Sequence, residues 1–200
     1  MKTKLFVLIA IAAITLSGIY IVACSEEPPM SDEEVMKIYM KYATPGEQHK
    51  QLQADVGSWE FSTKWWEEEG AKPEESKGTS EVKAIFGGKF IYEDVSGEMM
   101  GNPFKGIAIT GYDNFKEQYV SFWIDEMSTS MMISYGTPDE SGKLVTYEGT
   151  YDDLITGEKD KKSKSIMRII DNDNRIYEMF EWDEDGKEYK SFEIVYTRKK

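Results

Sequence analysis

Residues 106–132 read GIAITGYDNFKEQYVSFWIDEMSTSMM, from Gly106 to Met132, and this stretch decides the fold. Ile107 and Ile109, then Val120, Phe122 and Ile124, recur at every second residue, the period of a β-strand with one face buried. Gly111-Tyr112-Asp113-Asn114 is a cluster of turn residues between the runs, so the two fold back as a hairpin. A second turn at Glu126-Met127-Ser128-Thr129 leads into another apolar run. Three antiparallel strands in 27 residues make a meander.

Outward from this stretch the same pattern repeats. Candidate strands cover 58–68, 76–86, 89–98, 103–112, 117–125, 129–138, 143–151, 162–171, 174–184 and 188–198, separated by Gly, Asp and Asn turn signals. Short links leave no room for crossovers, so sequence neighbours pair antiparallel. A ten-strand meander exposes two edges unless it closes. The expectation is an all-β fold, a closed antiparallel up-and-down barrel of about ten strands with one or two short N-terminal helices.

The helices precede the strands. Ser31 and Glu34 have capping-box spacing, and Val35, Ile38, Tyr39 and Tyr42 fall at helical spacing, predicting an amphipathic helix over 31–43. Thr44-Pro45-Gly46-Glu47 starts a second short helix, with Pro45 at the first helical position, that runs to about Val56 and stops at Gly57.

The first 23 residues have another purpose. Lys2 and Lys4 precede an apolar run from Leu5 to Ala23, the pattern of a secretory signal. The run ends Ile21-Val22-Ala23-Cys24, which resembles the lipobox of bacterial lipoproteins, with Cys24 as lipid acceptor and Ile21 where leucine is commoner. The alternative is an uncleaved membrane anchor, for which the run is long enough. The domain scheme is a leader over 1–23, the lipidated Cys24 with an acidic tether and helix over 24–44, and a barrel over 45–200. The expected location is the bacterial cell envelope, with the membrane as partner through the lipid on Cys24. Cys24 is the only cysteine, so no internal disulfide forms.

Composition narrows the partners further. A formal net charge of −13 repels phosphate backbones and argues against nucleic acid. Catalytic constellations are thin: there is no phosphate loop or nucleophile elbow, and one histidine cannot build a metal cluster. No cofactor is expected. His49, on the apolar side of the second helix, reads as a plug for a barrel end or as a ligand or base.

The site candidates are those of a binding barrel. Tyr112, Trp123, Asp125, Met127, Met131, Tyr147 and Arg168 are the expected ligand-lining residues, for a small apolar or amphipathic ligand. Arg168 lies between Ile166 and Ile170 on one strand face. If that face looks inward, its guanidinium needs Glu93, Asp125, Glu178 or an acidic ligand; otherwise Arg168 points to solvent. A structural or protein-interaction lipoprotein is the alternative, its apolar strand faces and methionine loops serving as contacts.

Several short elements, in order, resemble the bacterial domain-of-unknown-function family 1579. They are Pro45 to Lys50, Gly57-Ser58-Trp59, Gly87 to Phe90, Gly97 to Gly101, Gly111 to Asn114, Trp123 to Asp125, Met127 to Thr129 and Tyr196 to Arg198. The resemblance covers nearly all of residues 45–198 and implies no established activity. A wider resemblance is to the calycin group, which includes lipocalins, fatty-acid-binding proteins and nitrobindins. It implies a barrel opening on Gly-x-Trp, here Gly57-Ser58-Trp59, with a basic residue of the last strand, Arg198, stacked on Trp59 in a structural role. By analogy with nitrobindins it also raises haem binding through His49, and an enzyme reading pairs His49 with Asp125 as base and acid.

Overall fold

A computed structural model describes residues 29–183 and 185–200. The expected leader, the expected lipid acceptor Cys24 and the expected tether up to residue 28 lie outside the described residues. Two helices, α1 (Asp32–Ala43) and α2 (Glu47–Gln53), precede ten strands. The strands are β1 (Gly57–Trp65), β2 (Glu74–Ile85), β3 (Phe90–Met99), β4 (Asn102–Asp113), β5 (Gln118–Asp125), β6 (Met132–Pro138), β7 (Leu144–Tyr151), β8 (Lys161–Ile169), β9 (Asn174–Trp182) and β10 (Glu188–Arg198). Each strand pairs antiparallel with its sequence neighbours, and β1 pairs with β10 to close the barrel.

The expected strands are all present, with shifted ends. The central turn lies at residues 114–117 rather than at Gly111 to Asn114. Asp113 Oδ1 accepts the backbone N–H groups of Phe115 and Lys116 at 2.8 and 3.1 Å, pinning the turn three residues later. β6 begins at Met132 instead of residue 129, because Asp125 and Ser128 accept the N–H groups of Met127 and Ser130 and hold that backbone out of the ladder.

The faces of the deciding hairpin are the reverse of the simplest expectation. Tyr112 pairs with Tyr119, Thr110 with Ser121 and Ala108 with Trp123; Thr110 also pairs with the core residue Ile91. Paired residues share a face, so this set points inward. Ile107, Ile109, Val120, Phe122 and Ile124 therefore point outward. The interior accepts small residues here because large rings fill it from the side: a Cβ on Gly106 would collide with the Trp123 ring.

Core side chains are concentrated toward one end. Trp59, Val82, Ile91, Tyr119 and Val145 are buried there beneath Leu52 and His49 of α2. Three contacts fasten α2 across this end: Gln51 donates to the Gly142 carbonyl, Gln53 donates to the Gly88 carbonyl at 3.3 Å, and Tyr119 Oη donates to Gln51 Oε1 at 3.1 Å. The helix begins at Gly46 as N-cap, so Pro45 precedes it rather than opening it. His49 supplies the cap, its Nδ1 accepting the Gly46 N–H at 3.0 Å.

α1 has the predicted capping box between Ser31 and Glu34, but no buried residue. Only its C-terminal end is tied down, where Asn114 donates to the Tyr42 and Thr44 carbonyls at 2.9 Å and Tyr42 meets Phe115 edge-on. Among the described residues, no helix is long and apolar enough to cross a membrane.

Candidate functional site

The barrel holds a space toward each end. At the end opposite α2, a recess of about 200 Å³ opens between the β5–β6 and β7–β8 connections. Near α2, a space of about 60 Å³ lies against Tyr119, Tyr147, Glu93 and Arg175.

The open-end recess is shaped by the last residues of β5. The two-residue period brings Trp123 and Asp125 to the inner face together. Trp123 Nε1–H donates to Asp125 Oδ2 at 2.7 Å, and the Met127 N–H donates to Asp125 Oδ1 at 2.9 Å. One carboxylate thereby fixes both the indole plane and the start of the loop. Phe104 stacks on Trp123 with centroids 6.3 Å apart and planes 21° from parallel. Met127, Ser128, Met132, Tyr151 and Leu154 complete the wall with Asp152. Its chemistry is an aromatic and thioether floor with carboxylates at the rim, and no basic side chain lines it.

The neighbouring cation is already committed. Lys161 Nζ contacts Asp153 at 3.1 Å and Glu181 at 3.3 Å, and lies 5.6 Å from the Tyr151 ring centre. Burial works against its charge, yet Tyr151, Asp153 and Glu181 together hold the ammonium above its usual value. The Asp153 carboxyl is held down to about 2, first by the Thr156 backbone N–H and then by Lys161. Burial pushes the Tyr151 phenol up.

The closed end is organised around an arginine that the sequence did not single out. Arg175 is 2% exposed and contacts Asp55 at 2.8 Å and Glu93 at 3.1 Å. Its guanidinium carbon lies 4.5 Å from the Trp59 ring centre and 4.4 Å from that of Tyr196. Burial pushes the Asp55 carboxyl up against the pull of Arg175, and Glu93 adds to the rise. Burial also raises Tyr119 to about 12. Arg175 Nε and Ser80 Oγ have no partner among the described residues.

The expected lining residues therefore divide into groups. Trp123, Asp125 and Met127 meet at the open-end recess. Met131 is exposed beside Met132, which lines it. Tyr112 and Tyr147 belong to the opposite end, Tyr147 buried in the core and Tyr112 packed against it. Arg168 is on the outer face, where its Nε donates to Glu178 Oε2 at 2.8 Å; the reading that placed it inside does not hold. Strand alternation explains the difference, since Met167 and Ile169 take the inner positions of β8. Arg175 is the inward-facing arginine, and its alternation with Tyr177 and Met179 on β9 was the available signal.

His49 and Asp125 stand at opposite ends of the barrel, which removes them as an acid–base pair. His49 packs edge-on to Tyr112, the partner of Tyr119, with ring centres 5.9 Å apart. Six residues of β5, about 20 Å at ~3.3 Å per residue, separate Tyr119 from Asp125. Haem does not fit at His49 either. The ring is buried, its Nδ1 is occupied by the Gly46 N–H, and the space beneath α2 is about 60 Å³. No cluster of three metal-ligating side chains occurs among the described residues.

Trp59 and Arg198 meet at the closed end. The Arg198 guanidinium carbon lies 4.2 Å from the Trp59 ring centre, and its Nη1 and Nη2 donate to the Val56 and Ala54 carbonyls at 2.8 and 2.6 Å. Gly57, at φ +136°, makes room for this approach; a Cβ there would stand 2.8 Å from Nη1.

Solved structures share this barrel. The Rv2717c protein of M. tuberculosis matches with a TM-score of 0.58 at 14% identity, over 78% of this chain and 100% of its own. The S-type phycobiliprotein lyase CPES of Guillardia theta matches with a TM-score of 0.55 at 14% identity, over 76% of this chain and 92% of its own. At such identity the likeness is one of fold. No curated protein matches the chain. The sequence model described as "Protein of unknown function (DUF1579)" matches residues 44–198, and the chain belongs to that family.

Proposed function

We propose that this is a lipid-anchored protein of the bacterial cell envelope whose barrel takes a small apolar or amphipathic ligand at its open end. The observation that carries the reading is the recess of about 200 Å³ lined by Trp123, Asp125, Met127, Met132 and Tyr151. Pockets for drug-sized ligands run to about 300–1,000 Å³, so this one takes a small molecule or one end of a longer one. Its apolar floor suits a ring or short chain. Its carboxylates favour a hydroxyl, amine or cationic group over a carboxylate or phosphate, since Lys161 is neutralised by Asp153 and Glu181. A binding role also accords with the name of one fold neighbour, a phycobiliprotein lyase.

The test is a titration of the purified chain with dansylated alkylamine and dansylated fatty acid of equal length. The amine should bind more tightly, and Trp123→Ala should weaken it at least tenfold. Equal or absent binding of both probes sinks the reading. The anchor is checked separately by the mass of the mature chain, which should begin at Cys24 and carry acyl groups.

A protein-interaction role is the second reading. The loops around the open end carry Met100, Met131, Leu154 and Ile155, and Ile155 is 95% exposed.

A further inference from the structure

The outer wall of the barrel is unevenly composed. On β1 and β2 the outward positions hold Ser58, Glu60, Ser62 and Lys64, then Lys77, Thr79, Glu81 and Lys83. That is an ordinary solvated face. On β3 to β6 a block of nine outward positions is aliphatic or aromatic and lies side by side in register, while Asp94, Ser96, Glu98 and Lys105 take the outward positions toward the open end. Tyr92, Ile109, Phe122 and Ile133 form one cross-strand row. Ile107 and Ile124 pair in the row toward the open end. Phe90, Val120 and Tyr135 lie in the row toward the closed end, where Gly111 lets the Phe90 ring lie flat on the sheet.

Neither helix hides this face. α2 sits across the barrel end, and α1 buries none of its residues. Phe90 is 39% exposed, and Ile133 and Tyr135 are each 45% exposed.

We infer that this face of β3–β6 is where a second copy of the chain docks, sheet against sheet. The four aromatic side chains offer about 150–250 Å² each and the five aliphatic ones less, so the exposed parts of the nine residues amount to roughly 400–500 Å² per copy. A face-to-face pair then buries on the order of 1,000 Å², the lower bound for a specific interface. The monomer would otherwise carry an apolar patch at the upper end of the usual range, about 300–600 Å². Charge points to the same occupant. The chain has a net charge of −13, which opposes self-association, yet no Asp, Glu, Lys, Arg or His is among the nine positions. Charges flank the block and are of both signs: Asp94 beside Ile107 and Glu148 beside Tyr135, against Lys83 beside Tyr92, Lys105, and Lys116 over the Tyr135 ring. Such a border lets two copies meet with opposite charges in reach of each other. Two antiparallel sheets facing each other about 10 Å apart are a standard packing. The contact lies midway along the wall, so the open-end recess of each copy stays accessible.

The decisive experiment is sedimentation equilibrium of the full-length chain in density-matched detergent micelles, up to about 100 µM. The expected result is two chains per assembly, with Phe122→Glu and Ile133→Lys each reducing it to one. Lys77→Glu, on the polar wall, should leave two. Circular dichroism of the variants verifies that the barrel persists, and the two substitutions on different strands guard against a folding artefact in either. A single chain at every concentration, or two chains in both patch variants, overturns the inference. A probe attached to Phe122→Cys and quenched by nitroxide-bearing lipid overturns it in favour of a membrane-facing wall. One chain with no such quenching overturns it in favour of a different protein partner. The ligand proposal is untouched by these outcomes, because its probe titration reads the other side of the wall.

Discussion

Trp59 and Arg175 form the centre of the closed end: the guanidinium of Arg175 lies 4.5 Å from the indole centre while two carboxylates hold its nitrogens. Arg198 lies over the same indole at 4.2 Å, so one tryptophan serves two cations. The two arginines differ in burial. Arg175 is a buried ion cluster whose loss strands Asp55 and Glu93, whereas Arg198 is a partly exposed clasp between the last strand and the end of α2.

Replacing Arg198 by alanine removes a cation–π contact and two hydrogen bonds to the Ala54 and Val56 carbonyls. The expected cost is about 2 kcal/mol. For a chain of this size the melting temperature should then fall by roughly 4–8 °C. Arg198→Lys should not restore it, because an ammonium cannot reach both carbonyls while stacking. Thermal melts followed by circular dichroism check both.

His49→Ala should act on stability alone. The cap on Gly46 and the edge contact with Tyr112 are lost, at a cost of about 1 kcal/mol. Affinity for the dansylated amine at the recess should be unchanged, because His49 is at the other end. A tenfold loss of affinity would contradict the division of the barrel into two ends.

Asp153 ties stability to acid. Its folded-state carboxyl is lowered to about 2, below the ordinary value of 3.8, so the stabilisation it gives is complete above the ordinary value. That contribution is lost as the pH falls from about 4 toward 2. Denaturant melts over this range should show a shallower decline for Asp153→Asn than for the unaltered chain.

Gly106→Ala tests how the recess is built. The added methyl group collides with the Trp123 ring, and repacking costs about 1–3 kcal/mol. The indole must leave its bond to Asp125 or press on Phe104. Probe affinity should fall about tenfold, with a lower melting temperature. Unaltered binding would mean that Trp123 is not the floor of the site.

The number and pairing of the strands were legible because alternation and turn chemistry are local, while their ends shifted by up to three residues. Which face turns inward was not. Ile107, Phe122 and Arg168 alternate as cleanly with one face inside as with the other, and a one-residue reversal exchanges every side chain. The same ambiguity explains why Arg168 drew attention rather than Arg175. In β4 the inner face is Phe104, Gly106, Ala108, Thr110 and Tyr112, and Gly106 makes sense only against the Trp123 ring of the next strand. That neighbour becomes visible only in three dimensions. Trp123 and Asp125 were found because a Trp-x-Asp pair on one strand face is itself local, whereas Leu154 and Asp152 join the recess from a distant loop.

Because β1 pairs with β10, the first strand to be made waits for the last. Until then its outer edge has no partner, and residue 198 must arrive before the ring exists. Contacts between such distant parts of a chain form slowly, since a long loop must close first. A chain halted anywhere before Glu188 presents two bare strand edges, each a template for joining another such chain. The barrel therefore makes completeness a condition of solubility: the C-terminal eleven residues of β10 are its quality check, and their removal should turn a folded protein into an aggregating one.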